Sequence, residues 1–248
     1  MVDPQSLTMH DDAEVRAESM LLCSKLAGAG PLAWLHRGAA DPVASVKRRA
    51  FDALLSREAF DRQTLEVAIT GMLDPDWWIS RQAGRILGSW PAAKSGTDPV
   101  ARALGALVPD LGPSSAPTVF SILAHRMGKK AAPYLSSGMA HKTREVAIAA
   151  IKAATRLRLR ALAPNLRKLF RRGDAVALAA VQGVAVLQDR KSVRPLVRLL
   201  ARGVKSPLKE AVALSLRHIT GQMHGYDVAR WEEYLRYGFD ANEGPRSN

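Results

Sequence analysis

The residues able to move a proton, attack a carbonyl or hold a metal are few in this chain and stand apart. The histidines are His10, His36, His125, His141, His218 and His224. None falls in an HExxH pair, and His218 and His224 lie six apart across a glycine, which is not a helical ligand spacing. The single cysteine, Cys23, excludes an internal disulfide and a cysteine-built zinc site, and no histidine is near it in sequence. No GxxxxGK(S/T), GxGxxG or GxSxG occurs, so neither a nucleotide cradle nor a nucleophile elbow is evident. From these residues we expect no catalytic group, no metal and no cofactor, and a chain that is not an enzyme. One aromatic cluster, Asp76, Trp77, Trp78 and Arg81 with Arg85 a turn on, has the types that stack on a base or a ribose. Packing of the two tryptophans is the simpler reading, with one ring inward and the other at a rim, because adjacent helical residues diverge by about 100°.

Charge is the stronger signal. The chain carries +13, and the excess is local. Residues 1–125 hold 12 Lys and Arg against 14 Asp and Glu, a net of −2. Residues 126–217 hold 21 against 4, a net of +17, and residues 218–248 hold 3 against 5, a net of −2. The four carboxylates of the basic stretch, Glu145, Asp174, Asp189 and Glu210, read as helix-start or turn residues. On a helix expected over about 160–172, Arg160, Arg167 and Arg171 share a narrow sector opposite Leu162, Leu166, Leu169 and Phe170. On a second, over about 192–202, Arg194, Arg198 and Arg202 step down one side. Arg167 and Arg198 are 31 apart, as are Arg171 and Arg202, so they form a ladder on successive units. Such a field attracts a polyanion, and a merely solvated helix face is the plainer alternative.

These side chains need elements to hold them, and the chain repeats itself to make them. Pro133, Pro164 and Pro195 are each 31 apart, and an Ala- and Val-rich run of helical length follows each. Earlier, Asp41-Pro42 and Asp74-Pro75 are 33 apart. Counting from each Asp, positions five, nine and thirteen on are Val46, Ala50, Leu54 and Ile79, Ala83, Leu87, one face of a helix. The same frame fits Val146, Ala150, Ala154, then Val176, Ala180, Val184, then Leu208, Val212, Leu216. A fixed period near thirty marks stacked helix pairs, since one pair cannot bury its apolar face alone. Residues 98–128 fit worst, and PAAKSGTDP before them reads as an exposed loop, so a break in the stacking is expected there. Composition agrees with an all-α chain, 47% hydrophobic with 6% aromatic residues. The amino terminus is acidic and lacks the basic and apolar regions of a signal peptide. The longest nearly apolar run, 175–187, is too short to span a bilayer, so a cytoplasmic chain is expected.

The Asp turn, the Val46-Lys47 start, the Ala nine places on and the proline of each later pair resemble HEAT repeats, above all the short bacterial type of phycobilin-lyase-like proteins. The resemblance covers about 31–222 and implies a right-handed α-solenoid of six helix pairs. Residues 1–30 then form a lead-in, with a helix over 12–27, and 223–248 form a capping helix and a frayed tail. Thr220-Gly221-Gln222, Tyr226-Asp227 and Trp231 are similar to the way several such chains end, with Asp227 as helix cap and Trp231, Tyr234 and Leu235 closing the last unit. HEAT-like proteins include DNA glycosylases, but their Trp and Asp at one-turn spacing are missing here. The resemblance also puts first helices on the convex side, which places the Arg ladder outside the groove.

Positions seven and eleven of the frame point to the concave side. They are Arg48 with Asp52 and Arg81 with Arg85, then Ile148 with Lys152, Leu178 with Gln182, and Glu210 with Leu214. Apolar residues thus enter positions that should be wet, and the helix from Asp174 to Leu187 is apolar nearly all round. Either these helices are internal, or Ile148, Leu178 and Leu214 form a strip that takes an amphipathic helix. The sequence reading is a scaffold that binds a protein partner, acidic or helix-presenting, on its concave face through Ile148, Lys152, Leu178, Gln182, Leu214, Arg81 and Arg85. Its alternative is a nucleic-acid-binding protein, glycosylase-like or not, that uses the basic segment 126–217.

Overall fold

The computed structural model describes residues 4–93, 98–172 and 175–239. The expected loop 91–99 is thus described only in part, and Asp174 and the tail from residue 240 lie outside the described residues. The described residues are helical, with no strand among them, and the chain divides into two compact units at Arg126 and Met127.

The first unit runs α1 (Pro4–Thr8), α2 (Ala13–Lys25), α3 (Ala29–Ala39), α4 (Ala44–Arg57), α5 (Arg62–Gly71), α6 (Trp77–Ser89), α7 (Pro99–Ala106) and α8 (Ala116–Met127). Where a lead-in without structure was expected, α1 makes one short helical turn. Carboxylates start most of the others. The side chains of Asp12, Asp61, Asp76 and Asp98 accept backbone N–H groups at the starts of α2, α5, α6 and α7, satisfying donors that have no partner within the helix.

The second unit runs α9 (Ala132–Met139), α10 (Arg144–Arg156), α11 (Ala163–Leu169), α12 (Ala175–Val186), α13 (Val193–Ala201), α14 (Leu208–Thr220) and α15 (Val228–Tyr237). Each first helix is preceded by a 3-10 turn, at 128–131, 160–162 and 190–192. Pro133 and Pro164 are the second residues of α9 and α11, where a missing N–H leaves no bond unmade. The stretch 160–172, expected as one helix, is therefore three pieces: a 3-10 turn, α11 and a second 3-10 turn at Phe170–Arg172.

The packing frame is obeyed in both units. Val46, Ala50, Leu54, Ile79, Ala83 and Leu87 are buried, and so are the corresponding residues of α10, α12 and α14, from Val146 to Leu216. An alanine at the middle position lets the second helices close on one another: α4 rests on α2 and α6, and α12 rests on α10 and α14. The first helices stand further apart. Each unit is an all-α stack of HEAT-like pairs.

The second helices α10 and α12 end on Schellman turns made without glycine. Arg158 and Gln188 have φ of 51° and 54°. The Leu159 N–H donates to Ala154 O and the Asp189 N–H to Val184 O, both at 3.0 Å, while Arg158 and Gln188 close the inner bonds to Thr155 O and Ala185 O. The end of the stack is closed by α15 packing on α13. Trp231 is wholly buried there, its indole N–H donating to Gly225 O at 3.1 Å, with His224 and Tyr234 edge-on or tilted around it.

Candidate functional site

In the second unit two surfaces carry the residues singled out by sequence, one on each layer. On the second-helix layer an open cavity of about 450 Å³ lies between α12 and α14, where Gln182, Ala185 and Val186 face Ala211, Leu214 and Ser215, with Arg217 and His218 at the edge. Leu214 is 63% exposed and Val186 43% exposed, a high degree for residues of their size. A neighbouring cavity of about 490 Å³ between α10 and α12 brings Lys152, Thr155, Arg156 and Arg158 against Ala179, Gln182 and Val186. Gln182 and Val186 line both. Lys152, Gln182 and Leu214 are therefore gathered as expected. Ile148 and Leu178 are only half-buried and line neither cavity. The helix that is apolar all round is not internal: Gln182 and Val186 are exposed. Sequence reasoning missed Val186, whose position, ten from Val176, falls outside the frame used to find the strip.

On the first-helix layer the Arg ladder lines a cleft of about 580 Å³ between α11 and α13. Arg167, Lys168 and Arg171 stand on one wall and Arg198 and Arg202 on the other, with Pro164, Pro195, Leu199 and Phe170 between them. Arg160 and Arg194 are exposed but do not line it. Arg167 is ion-paired with Asp189, whose carboxylate also accepts the Ser192 hydroxyl, so this rung is largely neutralised. Among the described residues Lys168, Arg171, Arg198 and Arg202 make no hydrogen bond or ion pair.

The first unit disposes of its charge differently. Arg16 pairs with Asp41 at 2.8 Å, Lys47 with Asp74 at 2.5 Å, Arg48 with Asp76 at 2.7 Å and Arg126 with Asp98 at 2.6 Å. Burial acts to raise the Asp41 and Asp76 pKa values, but the guanidinium and backbone N–H groups facing each carboxylate outweigh it and hold both below the ordinary range. Asp76, at the centre of the aromatic cluster, is thus occupied by Arg48 and by the Trp78 N–H. Trp78 is half-buried and donates its indole N–H to Asp52 at 3.2 Å; Trp77 is 61% exposed. Arg85 donates to Gln82, and Arg81 and Arg85 are both exposed on α6. His36 is buried, with Nε2 2.7 Å from the Thr64 hydroxyl and Nδ1 without a partner. Burial lowers its pKa, and nearby Asp61 only partly offsets this. Cys23 is buried and its thiol pKa is raised, chiefly by that burial. Among the described residues no cluster of His, Cys, Asp or Glu has the makings of a metal site, and no helix is long and apolar enough to cross a membrane.

No protein-family model matches the chain, and no curated protein matches its sequence. Among solved structures it is similar to the complex of CpcE and CpcF of phycocyanin lyase from Nostoc sp. PCC7120, over 95% of this chain and 94% of that one, at 16% identity and a TM-score of 0.41. It is also similar to an engineered protein, over 89% and 98% of the two chains, at 15% identity and a TM-score of 0.35. The described residues themselves form an all-α stack of repeated helix pairs. The expectation that the chain is not an enzyme is withdrawn, because one of the structures it is similar to is a phycocyanin lyase complex. At this level of similarity no residue role passes from one chain to the other.

Proposed function

We propose that this helical repeat protein docks a protein partner on the second-helix layer of its second unit, and that the partner presents an amphipathic helix with acidic flanks. The observation that carries this is Leu214, 63% exposed beside Val186 over an open cavity, on a helix whose inward residues Val212 and Leu216 are fully buried. Burial of one such leucine contributes about 1.5–3 kcal/mol, so Leu214 and Val186 together suffice to anchor a helix. Lys152, Arg156, Arg158 and Arg217 around the cavities would meet carboxylates on its flanks.

The test uses a synthetic helical peptide of about 18 residues, leucine on one face and glutamate on the other, together with nuclease-treated pull-downs. Leu214→Ser with Val186→Ser should abolish peptide binding and remove the captured proteins, with the melting temperature nearly unchanged. Retained binding refutes the reading. A large drop in melting temperature would show that the two residues serve the core instead.

A further inference from the structure

The cleft between α11 and α13 is not used by that docking reading. All five polar side chains on its walls, Arg167, Lys168, Arg171, Arg198 and Arg202, are cations. Among the described residues the side chains of the four other than Arg167 make no hydrogen bond or ion pair, and Asp189 is taken by Arg167 and Ser192. On the α13 wall Arg198 and Arg202 are one helical turn apart, about 6 Å along the axis, and on the other wall Arg171 stands on the 3-10 turn that follows α11. The walls belong to α11 and α13, which pack on α12 and α14 more closely than on each other. Between the walls lie the covered side chains of Phe170 and Leu199.

We infer that this cleft binds the phosphodiester backbone of an unpaired nucleic-acid strand, without reading its sequence. An unpaired strand is narrow enough to lie between the helices, whereas a duplex would meet only their outer edges. Its backbone presents acceptors alone, and the cleft presents donors alone. An acidic peptide would bring backbone N–H groups that find no acceptor side chain on these walls, and it would find no pocket for an apolar anchor. Arginine suits phosphate because its planar fork donates two parallel hydrogen bonds. No exposed ring lines the cleft and no amide side chain is available for base edges, so contacts stay on the backbone and carry no sequence preference.

The experiment is fluorescence anisotropy of a labelled oligothymidylate of about twelve nucleotides, titrated with the full chain at several salt concentrations. Parallel arms use polyglutamate and phosphatidylserine vesicles. Arg171→Gln/Arg198→Gln/Arg202→Gln should weaken oligonucleotide binding about tenfold or more at low salt. It should also lower the log–log salt slope by about 2, since three contacts at about 0.7 each are lost. Arg81→Gln/Arg85→Gln, which removes exposed cations from α6, should leave affinity unchanged within about twofold. Equal binding by the triple variant overturns the inference, as does an equal loss in the α6 variant, which would mean that net charge alone is being measured. Cleft-dependent binding of polyglutamate or vesicles in preference to the oligonucleotide also overturns it. Thermal melts check that the triple variant folds, and the single charge reversal Arg202→Glu repeats the test with one exposed residue changed. Because Leu214 and Val186 are untouched, failure here leaves the docking proposal standing, and the reverse holds as well.

Discussion

Each unit has a cleft between two of its first helices, and the clefts are nearly equal in size. That between α3 and α5 is about 540 Å³ and that between α11 and α13 about 580 Å³. Their walls differ in kind. Arg37, Gln63, Glu66 and Asp74 line the first, a mixture of charges, whereas every polar group of the second is a cation. The difference goes back to one frame position, the turn residue five before the first buried position of each second helix. In the first unit it is Asp41 and Asp74; in the second it is His141, Arg171 and Gly203. Asp41 and Asp74 do two jobs. Each accepts the N–H of the residue two places on, and each neutralises a cation from the preceding repeat, Arg16 or Lys47. His141 retains the first job, its Nδ1 accepting the Thr143 N–H at 3.0 Å, without adding a carboxylate. Arg171 places a positive charge where the first unit has a negative one. The repeat architecture thus tolerates loss of its turn carboxylate, and the loss changes the surface rather than the stack.

The comparison rests on packing being common to both units while surface charge is not, and each half can be attacked. The largest effect should come from Trp231→Ala, which leaves a large void beneath α15 and should cost about 3–5 kcal/mol in thermal or denaturant unfolding. Amide exchange should show the loss of protection concentrated in α13–α15; a change below about 1 kcal/mol would mean that the cap does not close the stack. Next come Ala83→Leu and Ala150→Leu, the same frame position in the two units. Each should cost about 1–3 kcal/mol by overpacking adjacent second helices, and a neutral effect at either would break the shared frame.

Acid should then separate the units. An unfolded aspartate protonates near pH 4 and an unfolded histidine near pH 6.5. Asp41, Asp76 and His36 all have folded values below these, so the unfolded chain takes up protons first. Their stabilisation is complete above about pH 6.5 and is lost in steps as pH falls, first through His36 and then, below about pH 4, through the two carboxylates. Exchange protection in α3–α6 should decline on acidification before that in α12–α14, and equal loss would contradict the contrast. The smallest effect concerns the left-handed turns. Arg158→Gly should raise stability by about 0.5–1 kcal/mol, because a side chain is strained at positive φ, and a decrease would show that the arginine side chain contributes more than its strain costs.

Much of the fold was legible because it repeats. A proline every 31 residues and a buried small residue nine places into each frame, alanine in four and Val212 in the last, are strong signals. The stretch 160–172 was read as one helix because its arginines and leucines keep a helical period through the 3-10 turns at either end. The short α1, PQSLT, has no apolar period to find. Of the candidate sites, the Arg ladder followed directly from the 31-residue spacing, but the neutralisation of Arg167 did not. Asp189 is 22 residues away, and only the folded turn brings the two together. Of the apolar strip, exposure of Leu214 followed from helical geometry, whereas Ile148 and Leu178 are half-buried, which sequence spacing does not foretell.

The unequal spacing of the two helix layers in the second unit has a mechanical consequence. Bending such a stack toward its tight side compresses helices already in alanine-mediated contact, and close-packed interiors resist compression. Bending it the other way mainly changes the gap between α11 and α13, where little is in contact. The unit is therefore stiff in one direction and compliant in the other. The cleft is the joint at which that compliance is expressed, and a chain of negative charge laid across both walls would act as a brace, drawing the two helices to a fixed separation and stiffening the one direction left soft.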